Sequence, residues 1–188
     1  MDSKTNKIIN RSAWTTIILF VIRCFIGFVN SFEFLKCDTW YDYFGAAGEA
    51  ISVSVILLIA YDKWLWQFNP FDFTPRLNGS YTGKIIFNYN GQSRRKNIKV
   101  DITQTSLKVS VKITTNEITS NTITSDLIEE NGEKVLYYTY ITTPNSQYSE
   151  QNPMQHGTCR LIQKEKNKLE GQYWTSRKTI GDIILIKQ

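Results

Sequence analysis

Two kinds of hydrophobic pattern divide the chain. Residues 13–34 and 43–64 are two largely apolar stretches, each close to the twenty or so residues that a helix needs to cross a bilayer. From residue 79 onward the helical pattern disappears, and apolar and polar side chains alternate in segments rich in Ile, Val, Thr and Tyr. Such alternation is typical of strands with one buried face. The sequence therefore predicts a two-helix hairpin over residues 1–68, a linker at 69–76, and an all-β domain over 77–188.

The all-β region contains eight candidate strands at regular spacing. They cover residues 79–89, 95–104, 106–115, 119–129, 133–141, 156–164, 168–176 and 180–187. Short polar turns separate most of them, whereas a longer loop over 142–155 contains two prolines and could cover one end of the domain. This spacing predicts a small eight-stranded antiparallel up-and-down β-barrel or a sandwich, and the closed barrel leaves no strand edge exposed.

Alternation also predicts which side chains face inward. The inward set should be aliphatic at one end and rich in tyrosine, threonine and arginine at the other, which gives a dry floor and a polar mouth. Its members are Tyr81, Gly83, Ile85 and Phe87; Leu107, Val109, Val111 and Ile113; Leu136, Tyr138 and Tyr140; and Tyr173, Thr175 and Arg177.

The two apolar stretches are interpreted as transmembrane helices. Aromatic residues that suit a membrane interface flank both of them, including Trp14, Trp40 and Trp64. A cleaved signal peptide is an alternative for the first stretch, but Arg23 in its middle and the second stretch so close behind disfavour cleavage. A buried helical pair in a soluble protein is the other alternative. Lysine and arginine near both outer ends, against acidic residues in the connection, predict a multi-pass membrane protein with both termini in the cytoplasm.

Arg23 and Glu49 are ionisable residues at membrane depth, where a charge is costly and usually faces a partner or water. From the predicted helix ends the two differ in depth by roughly 7 Å. Three arrangements remain open: a pair within one hairpin, a pair between neighbouring copies, or an arginine that reaches the interface beside a hydrated glutamate. Small residues next to Glu49 also allow close helix approach and self-association.

Charge and chemistry narrow the function classes. Residues 77–188 hold all of the net charge of +5, whereas residues 1–76 contain seven basic and seven acidic residues, so the β domain should favour anionic partners. Cys24, Cys37 and Cys159 are scattered, which predicts neither a disulfide framework nor a zinc site. His156 is the single histidine, and no nucleophile motif or phosphate loop is present. We therefore expect a protein that is not an enzyme and that has no cofactor or metal.

The strongest candidate site is the row Tyr173, Thr175 and Arg177 on one face of the seventh strand. An aromatic ring can stack on a base, a hydroxyl can donate, and a guanidinium can bind phosphate through two hydrogen bonds. His156 could add a donor or simply be a loop histidine. The row could equally be the ordinary polar face of a half-exposed strand, so the remaining motifs decide the interpretation.

Those motifs resemble one family along essentially the whole chain. After the hairpin come GSYTG at 79–83, LYYTY at 136–140 with Pro144, His156-Gly157 with Leu161, LEGQYWTSR at 169–177, and Gly181. In this order they are similar to the SMODS-associating, two-transmembrane, β-strand-rich effectors, which are membrane effectors of the bacterial anti-phage systems called CBASS.

The resemblance implies a function for each part of the chain. An eight-stranded barrel would bind a cyclic dinucleotide made by a partner nucleotidyltransferase, and no DNA or RNA polymer. Binding would promote homo-oligomerisation, and the hairpins would disrupt the inner membrane, so that infection is aborted. The expected ligand-binding residues are Arg177, Tyr173, Thr175, His156, Tyr138, Tyr140 and Tyr81, and those expected to act in the membrane are Arg23 and Glu49.

Two rival functions make different demands on the barrel. A membrane-tethered barrel that binds an apolar molecule, as lipocalins do, requires an aliphatic cavity. A membrane-bound hydrolase or phosphodiesterase that uses His156 requires a second catalytic group, which the sequence does not suggest.

Overall fold

A computed structural model describes residues 3–29, 38–70, 72, 74–89, 92–150 and 152–188 of the chain. The chain divides into two compact units, Met1–Asp72 and Phe73–Gln188. Their boundary lies inside the predicted linker 69–76.

The first unit is an antiparallel helix pair, α1 (Ser3–Val29) and α2 (Trp40–Lys63), followed by a short 3₁₀ helix at Leu65–Phe68. The stretches Ile9–Val29 and Trp40–Lys63 are long and apolar enough to cross a membrane. Few of their side chains are buried within the structure, and large apolar residues on both helices are exposed. The core helices of a soluble protein are mostly buried, so the soluble alternative is disfavoured.

The observed helix ends differ from the predicted ones. The polar residues before residue 13 continue α1 back to Ser3, and the predicted residues 30–34 lie outside the described part of the chain. α2 begins three residues before the predicted start because Thr39 caps it. Thr39 N donates to Asp42 Oδ2 over 2.8 Å, and Asp42 N donates to Thr39 Oγ1 over 3.4 Å. This reciprocal capping box is a local signal that the apolar pattern alone does not contain.

The second unit is a closed eight-stranded antiparallel barrel, which confirms the predicted fold. Each strand pairs with the next along the chain, and the last pairs with the first. The strands are β1 (Gly79–Tyr89), β2 (Gln92–Gln104), β3 (Val109–Thr114), β4 (Ile118–Glu130), β5 (Glu133–Pro144), β6 (Gln155–Glu165), β7 (Lys168–Thr175) and β8 (Ile180–Lys187).

The predicted inward position of Leu107 is wrong. The hydroxyl of Thr105 accepts hydrogen bonds from the backbone N–H groups of Leu107 and Lys108 at 3.3 and 3.2 Å, which closes a tight turn. β3 therefore starts only at Val109, and Leu107 lies exposed in the turn. The inward row of β3 then continues as predicted through Val109, Val111 and Ile113.

Aliphatic side chains fill the middle and lower part of the barrel. We call the end at which the chain enters β1 the lower rim, and the end with the β1–β2, β3–β4, β5–β6 and β7–β8 connections the upper rim. Leu77 closes the lower rim: its N–H donates to Gln104 Oε1 over 2.7 Å, and Gln104 Nε2 donates to Pro75 O over 2.9 Å. The buried aliphatic residues are Leu77, Ile98, Val100, Ile102, Val109, Val111, Leu136, Leu161, Leu169, Ile183 and Leu185. The predicted dry floor is therefore present.

Candidate ligand-binding site

Tyrosines and hydroxyl side chains replace the aliphatic core toward the upper rim. The inward face of β5 changes from Leu136 to Tyr138, Tyr140 and Thr142, because every second residue of a strand points the same way. Thr142 is buried and shares a hydrogen bond of 2.7 Å with Ser120 of β4. The upper part of the barrel interior is therefore polar, as the sequence predicted.

Two of the tyrosine rings lie on glycines of neighbouring strands. Tyr140 pairs with Gly157 across β5 and β6, and Tyr173 pairs with Gly181 across β7 and β8. A methyl group added at Gly157 would overlap the Tyr140 ring, and one added at Gly181 would lie 2.6 Å from Tyr173 Cε1. Real carbon atoms do not approach so closely, so only glycine lets these rings lie against the barrel wall.

Burial keeps the tyrosine hydroxyls protonated. It raises the pKa of Tyr173 to about 12, raises the pKa of Tyr140 further, and raises that of the fully enclosed Tyr138. The pKa of the Cys159 thiol, 0% exposed among them, also rises to about 12. Among the described residues the Tyr138 hydroxyl has no conventional hydrogen-bond partner, and only the Cys159 thiol, a weak one, lies within reach. These phenols therefore act as neutral rings and donors.

Thr175 and Arg177 belong to the connection between β7 and β8. β7 ends at Thr175, two residues before Arg177, so the strand alternation that was expected to place the two side chains on one face stops there. The Thr175 hydroxyl accepts from Thr179 N over 3.2 Å and keeps its own hydrogen for another acceptor. Arg177 lies exposed in the turn at the upper rim. Both residues remain at the mouth, but the arginine is part of its edge.

His156 lies at the upper rim on the opposite face of its strand. It precedes Gly157, whose face of β6 continues into the core with Cys159 and Leu161, and it pairs with Ile141 on the outer face of β5. Its N–H donates to Ser176 Oγ over 3.3 Å, and its side chain is exposed. The structure therefore places the His156 imidazole beside the mouth and outside the inward row.

Tyr81 is separated from the other predicted site residues. It lies near the lower rim, where its hydroxyl donates to Leu77 O over 2.7 Å and Lys187 Nζ lies 5.8 Å from its ring centroid. The hydrogen bond from Tyr81 to Leu77 helps to hold the segment that closes the barrel. This placement favours a structural role for Tyr81 over contact with a ligand that binds at the upper rim.

Two cations at the mouth were not among the site residues predicted from the sequence. β2 begins at Gln92, so Arg94 and Lys96 continue the inward row of Ile98, Val100 and Ile102 up to the rim. The prediction started this strand at residue 95 and did not extend the row. The sequence nevertheless contains the pattern that indicates this row, because every second residue of the segment changes from basic to aliphatic. Because β7, β8, β1 and β2 are consecutive neighbours, the cations at 94 and 96 and those at 177 and 178 flank one side of the rim.

The β5–β6 loop is attached to the β3–β4 turn. Asn145 N donates to Glu117 O over 2.8 Å, and Asn145 Nδ2 donates to Asn116 O over 2.7 Å. Asn152 Nδ2 donates to Glu117 Oε2 over 3.2 Å. This loop therefore borders the mouth.

In the helical unit, Arg23 and Glu49 form an ion pair within one hairpin. Arg23 Nε lies 2.6 Å from Glu49 Oε2. The predicted depth difference was counted from a helix that starts at residue 13, whereas the first candidate span of the structure starts at Ile9. Arg23 lies fourteen residues from Ile9, and Glu49 lies fourteen residues from Lys63, so both are about 21 Å from the ends of the two spans that should lie on one side. The Glu49 side chain remains 59% exposed.

Among the residues that the structure describes, no group of three or more His, Cys, Asp or Glu side chains could hold a metal ion. The polar groups described above at the mouth are hydroxyls, amides and cations, together with the carboxylate of Glu117. Such a set suits an anionic organic ligand with ring systems better than a divalent cation.

Comparisons with known proteins agree with this geometry. Residues 73–187, which are the barrel with its entry segment, match the family described as Cap15, cyclic dinucleotide receptor domain. The chain is also 35% identical over 191 aligned positions to CD-NTase-associated protein 15 from Staphylococcus schleiferi, an alignment that covers 100% of this chain and 99% of the relative. The chain, which consists of a two-helix hairpin and a barrel whose mouth is lined by tyrosines and edged by cations, therefore belongs to the Cap15 family of CBASS effectors.

Proposed function

We propose that this protein is a non-enzymatic receptor and effector of a CBASS system, and that its barrel binds a cyclic dinucleotide at the upper rim. The match of the barrel to the cyclic dinucleotide receptor domain carries the proposal. The mouth supplies what such a ligand requires. Tyr140 and Tyr173 offer ring faces for bases, and Thr175 offers a hydroxyl hydrogen. Arg177 and the cations of β2 offer partners for two phosphates.

The packing of the interior disfavours the lipocalin-like alternative. Aliphatic side chains fill the lower barrel, and Leu77 closes its entrance. A groove of about 390 Å³ lies on the outer wall of β6, β7 and β8. An apolar ligand would have to displace the core, whereas a nucleotide can bind at the mouth.

The proposed site is tested by replacing Arg177 with alanine. We expect the full-length protein in detergent to bind at least one member of a cyclic dinucleotide panel, and the Arg177→Ala variant to bind it roughly tenfold or more weakly, since a lost charged hydrogen-bond partner costs about 1.5–3 kcal/mol. Isothermal titration calorimetry measures both affinities. Lys166→Ala, which removes a cation from the β6–β7 turn at the lower rim, is the matched control and should bind normally. Equal affinities in the Arg177 and Lys166 variants would remove Arg177 from the site.

We further propose that ligand binding drives assembly of the hairpins in the inner membrane, with both termini in the cytoplasm, and that assembly breaches the bilayer. The open face of α2 supports close helix approach, because a methyl group added at Gly45 or Gly48 would meet nothing within 4 Å. The flanking charges support the orientation: Lys4, Lys7, Arg11, Lys63 and Arg76 belong to the cytoplasmic ends.

Membrane damage can be measured directly. Cells that produce the protein together with its cyclic dinucleotide should admit a membrane-impermeant dye and stop growing. Cells with the Arg177→Ala variant and the same ligand are the control and should exclude it. Dye exclusion by cells with the unmutated protein and its ligand would contradict the proposed killing mechanism, while leaving the binding site untouched.

A further inference from the structure

One ion pair occupies the inward row of the mouth. Lys96 Nζ lies 2.7 Å from Glu117 Oε2, and the two side chains are 30% and 35% exposed. The pairing of β2 with β3 runs from Gln104 opposite Val109 to Lys99 opposite Thr114. Continued beyond the end of β3, the same register places Lys96 opposite Glu117. Because Ile98 and Val100 share the face of Lys96, the pair belongs to the upper part of the inward row and lies at the mouth.

Glu117 also binds residues other than Lys96. Its carboxylate also accepts from Asn152 of the β5–β6 loop, and its backbone carbonyl accepts from Asn145. A cation that would suit a ligand phosphate is thus engaged by a carboxylate of the protein, and the same carboxylate binds a loop that borders the site. An anionic ligand that approaches Lys96 therefore encounters a lysine whose charge is already neutralised, with the negative carboxylate of Glu117 beside it.

We propose that Lys96 is a phosphate-binding residue that Glu117 holds in the ligand-free receptor, and that a phosphate of the cyclic dinucleotide replaces Glu117 as its partner. This inference rests on the proposed binding at the upper rim. The exchange conserves charge: the Lys96 ammonium leaves one anionic oxygen for another, and the Glu117 carboxylate turns toward solvent. A half-exposed ion pair contributes little to stability, so the exchange is accessible to a ligand that gains additional contacts.

The arrangement gives Glu117 a role in specificity. Every anion that approaches Lys96 must first displace the carboxylate and overcome its repulsion. A cyclic dinucleotide can offset that cost by stacking its bases on Tyr140 and Tyr173 and by placing its second phosphate on another cation of the rim. Inorganic pyrophosphate has no base and cannot. Glu117 should therefore exclude simple phosphates, and its displacement should free Asn152 and loosen the loop that borders the mouth.

Two single variants and their combination test the exchange. Lys96→Gln should weaken binding of the cyclic dinucleotide by roughly tenfold, as expected for loss of a charged partner. Glu117→Gln keeps an oxygen acceptor for Asn152 but removes the competing charge, so it should strengthen binding by about three- to tenfold and give measurable binding of inorganic pyrophosphate. In the Lys96→Gln background, Glu117→Gln should add little, because the two residues act on one step.

The matched control is Glu170→Gln, which breaks the Lys168–Glu170 pair, also 2.7 Å long, near the lower rim. Titration calorimetry with the full-length protein in detergent measures all affinities, and thermal unfolding shows that each variant is folded. Glu117 and Lys96 variants that bind the dinucleotide like the Glu170 variant would overturn the exchange and leave the proposed receptor function standing. If no dinucleotide of the panel binds the unmutated protein, the receptor function itself fails, and the exchange fails with it.

Discussion

At the scale of single residues, glycines decide where two tyrosine rings of the barrel lie. Gly157 and Gly181 sit opposite Tyr140 and Tyr173 in the ladder, and each leaves room for the ring of its partner. The rings therefore rest against the wall instead of crossing the mouth. A ring held in this way loses little further freedom when a base stacks on it, which favours binding.

We expect Gly157→Ala to weaken both folding and ligand binding. The added methyl group must push Tyr140 from the wall, and such overpacking costs about 1–3 kcal/mol. Thermal unfolding and calorimetry measure the two effects. Thr143→Ala, a change on the exposed outer face of β5, is the control and should alter neither. Normal ligand affinity in the Gly157→Ala variant would show that the position of the Tyr140 ring is irrelevant to recognition.

At the scale of elements, polar contacts set the register of the α1–α2 pair. Arg11 lies over the Tyr61 ring at 4.7 Å, Thr16 and Ser54 share a hydrogen bond of 2.8 Å, and Arg23 pairs with Glu49. The two residue numbers in each contact have nearly the same sum, which is the pattern expected when two helices run antiparallel. The facing surfaces of the two helices are otherwise largely apolar, so these polar contacts specify one alignment of the helix pair.

A charge swap tests the deepest of these contacts. Arg23→Gln and Glu49→Gln should each destabilise the helix pair and change dye entry in ligand-producing cells, because each leaves one charge in the membrane without its partner. The double variant with Arg23→Glu and Glu49→Arg should restore protein level and activity toward those of the unmutated chain. Ser52→Ala, whose hydroxyl donates to Gly48 O of its own helix, is the control. If the swap is no better than either single variant, the ion pair does not carry the function of these residues.

At the scale of the whole molecule, charge and titratable groups are unevenly placed. Residues 1–76 are electrically neutral, and residues 77–188 hold the net charge of +5. The buried phenols and the thiol of the barrel form one cluster of Tyr138, Tyr140, Tyr173 and Cys159. Because burial raises the pKa of each, the folded barrel keeps protons that the unfolded chain releases at high pH.

The barrel should therefore lose stability in alkali. The ordinary pKa values are 9.0 for the thiol and 10.0 for the phenols, whereas Cys159 and Tyr173 titrate near 12 in the folded state. The contribution of these groups to stability should be constant below pH 9 and fall progressively from pH 9 to 12, because the unfolded state binds fewer protons there. Unfolding at increasing pH, followed by circular dichroism and tyrosinate absorbance, measures this.

Tyr138→Phe is the matched variant for this prediction. It keeps the ring and removes the buried hydroxyl that lacks a conventional partner, so stability at neutral pH should be unchanged or higher, and the alkaline decline should be shallower. Ionisation of the core tyrosines of the folded protein at pH 10, with no loss of stability, would contradict the raised pKa values.

Much of this architecture follows from the sequence alone. Helical and strand patterns are local, so they predicted both apolar helices, all eight strands, the aliphatic floor, and the tyrosines of β5 and β7. Errors arose where a side chain hydrogen-bonds the backbone nearby. Thr39 moved the start of α2, and Thr105 removed Leu107 from β3. Such caps and turns also follow from sequence, but they need the hydroxyl and its spacing to be weighed against the apolar pattern.

By itself, then, the sequence determined the class of every segment, the polar end of the barrel and the family, because each depends on residues close together in the chain or on their order. Only the tertiary structure decided which side chains meet. Closure of the barrel placed Lys96 opposite Glu117 at the upper rim and Tyr81 near the lower rim. The alignment of the two helices placed Arg23 beside Glu49. Those meetings depend on register between distant segments, and periodicity within a segment carries no information about register.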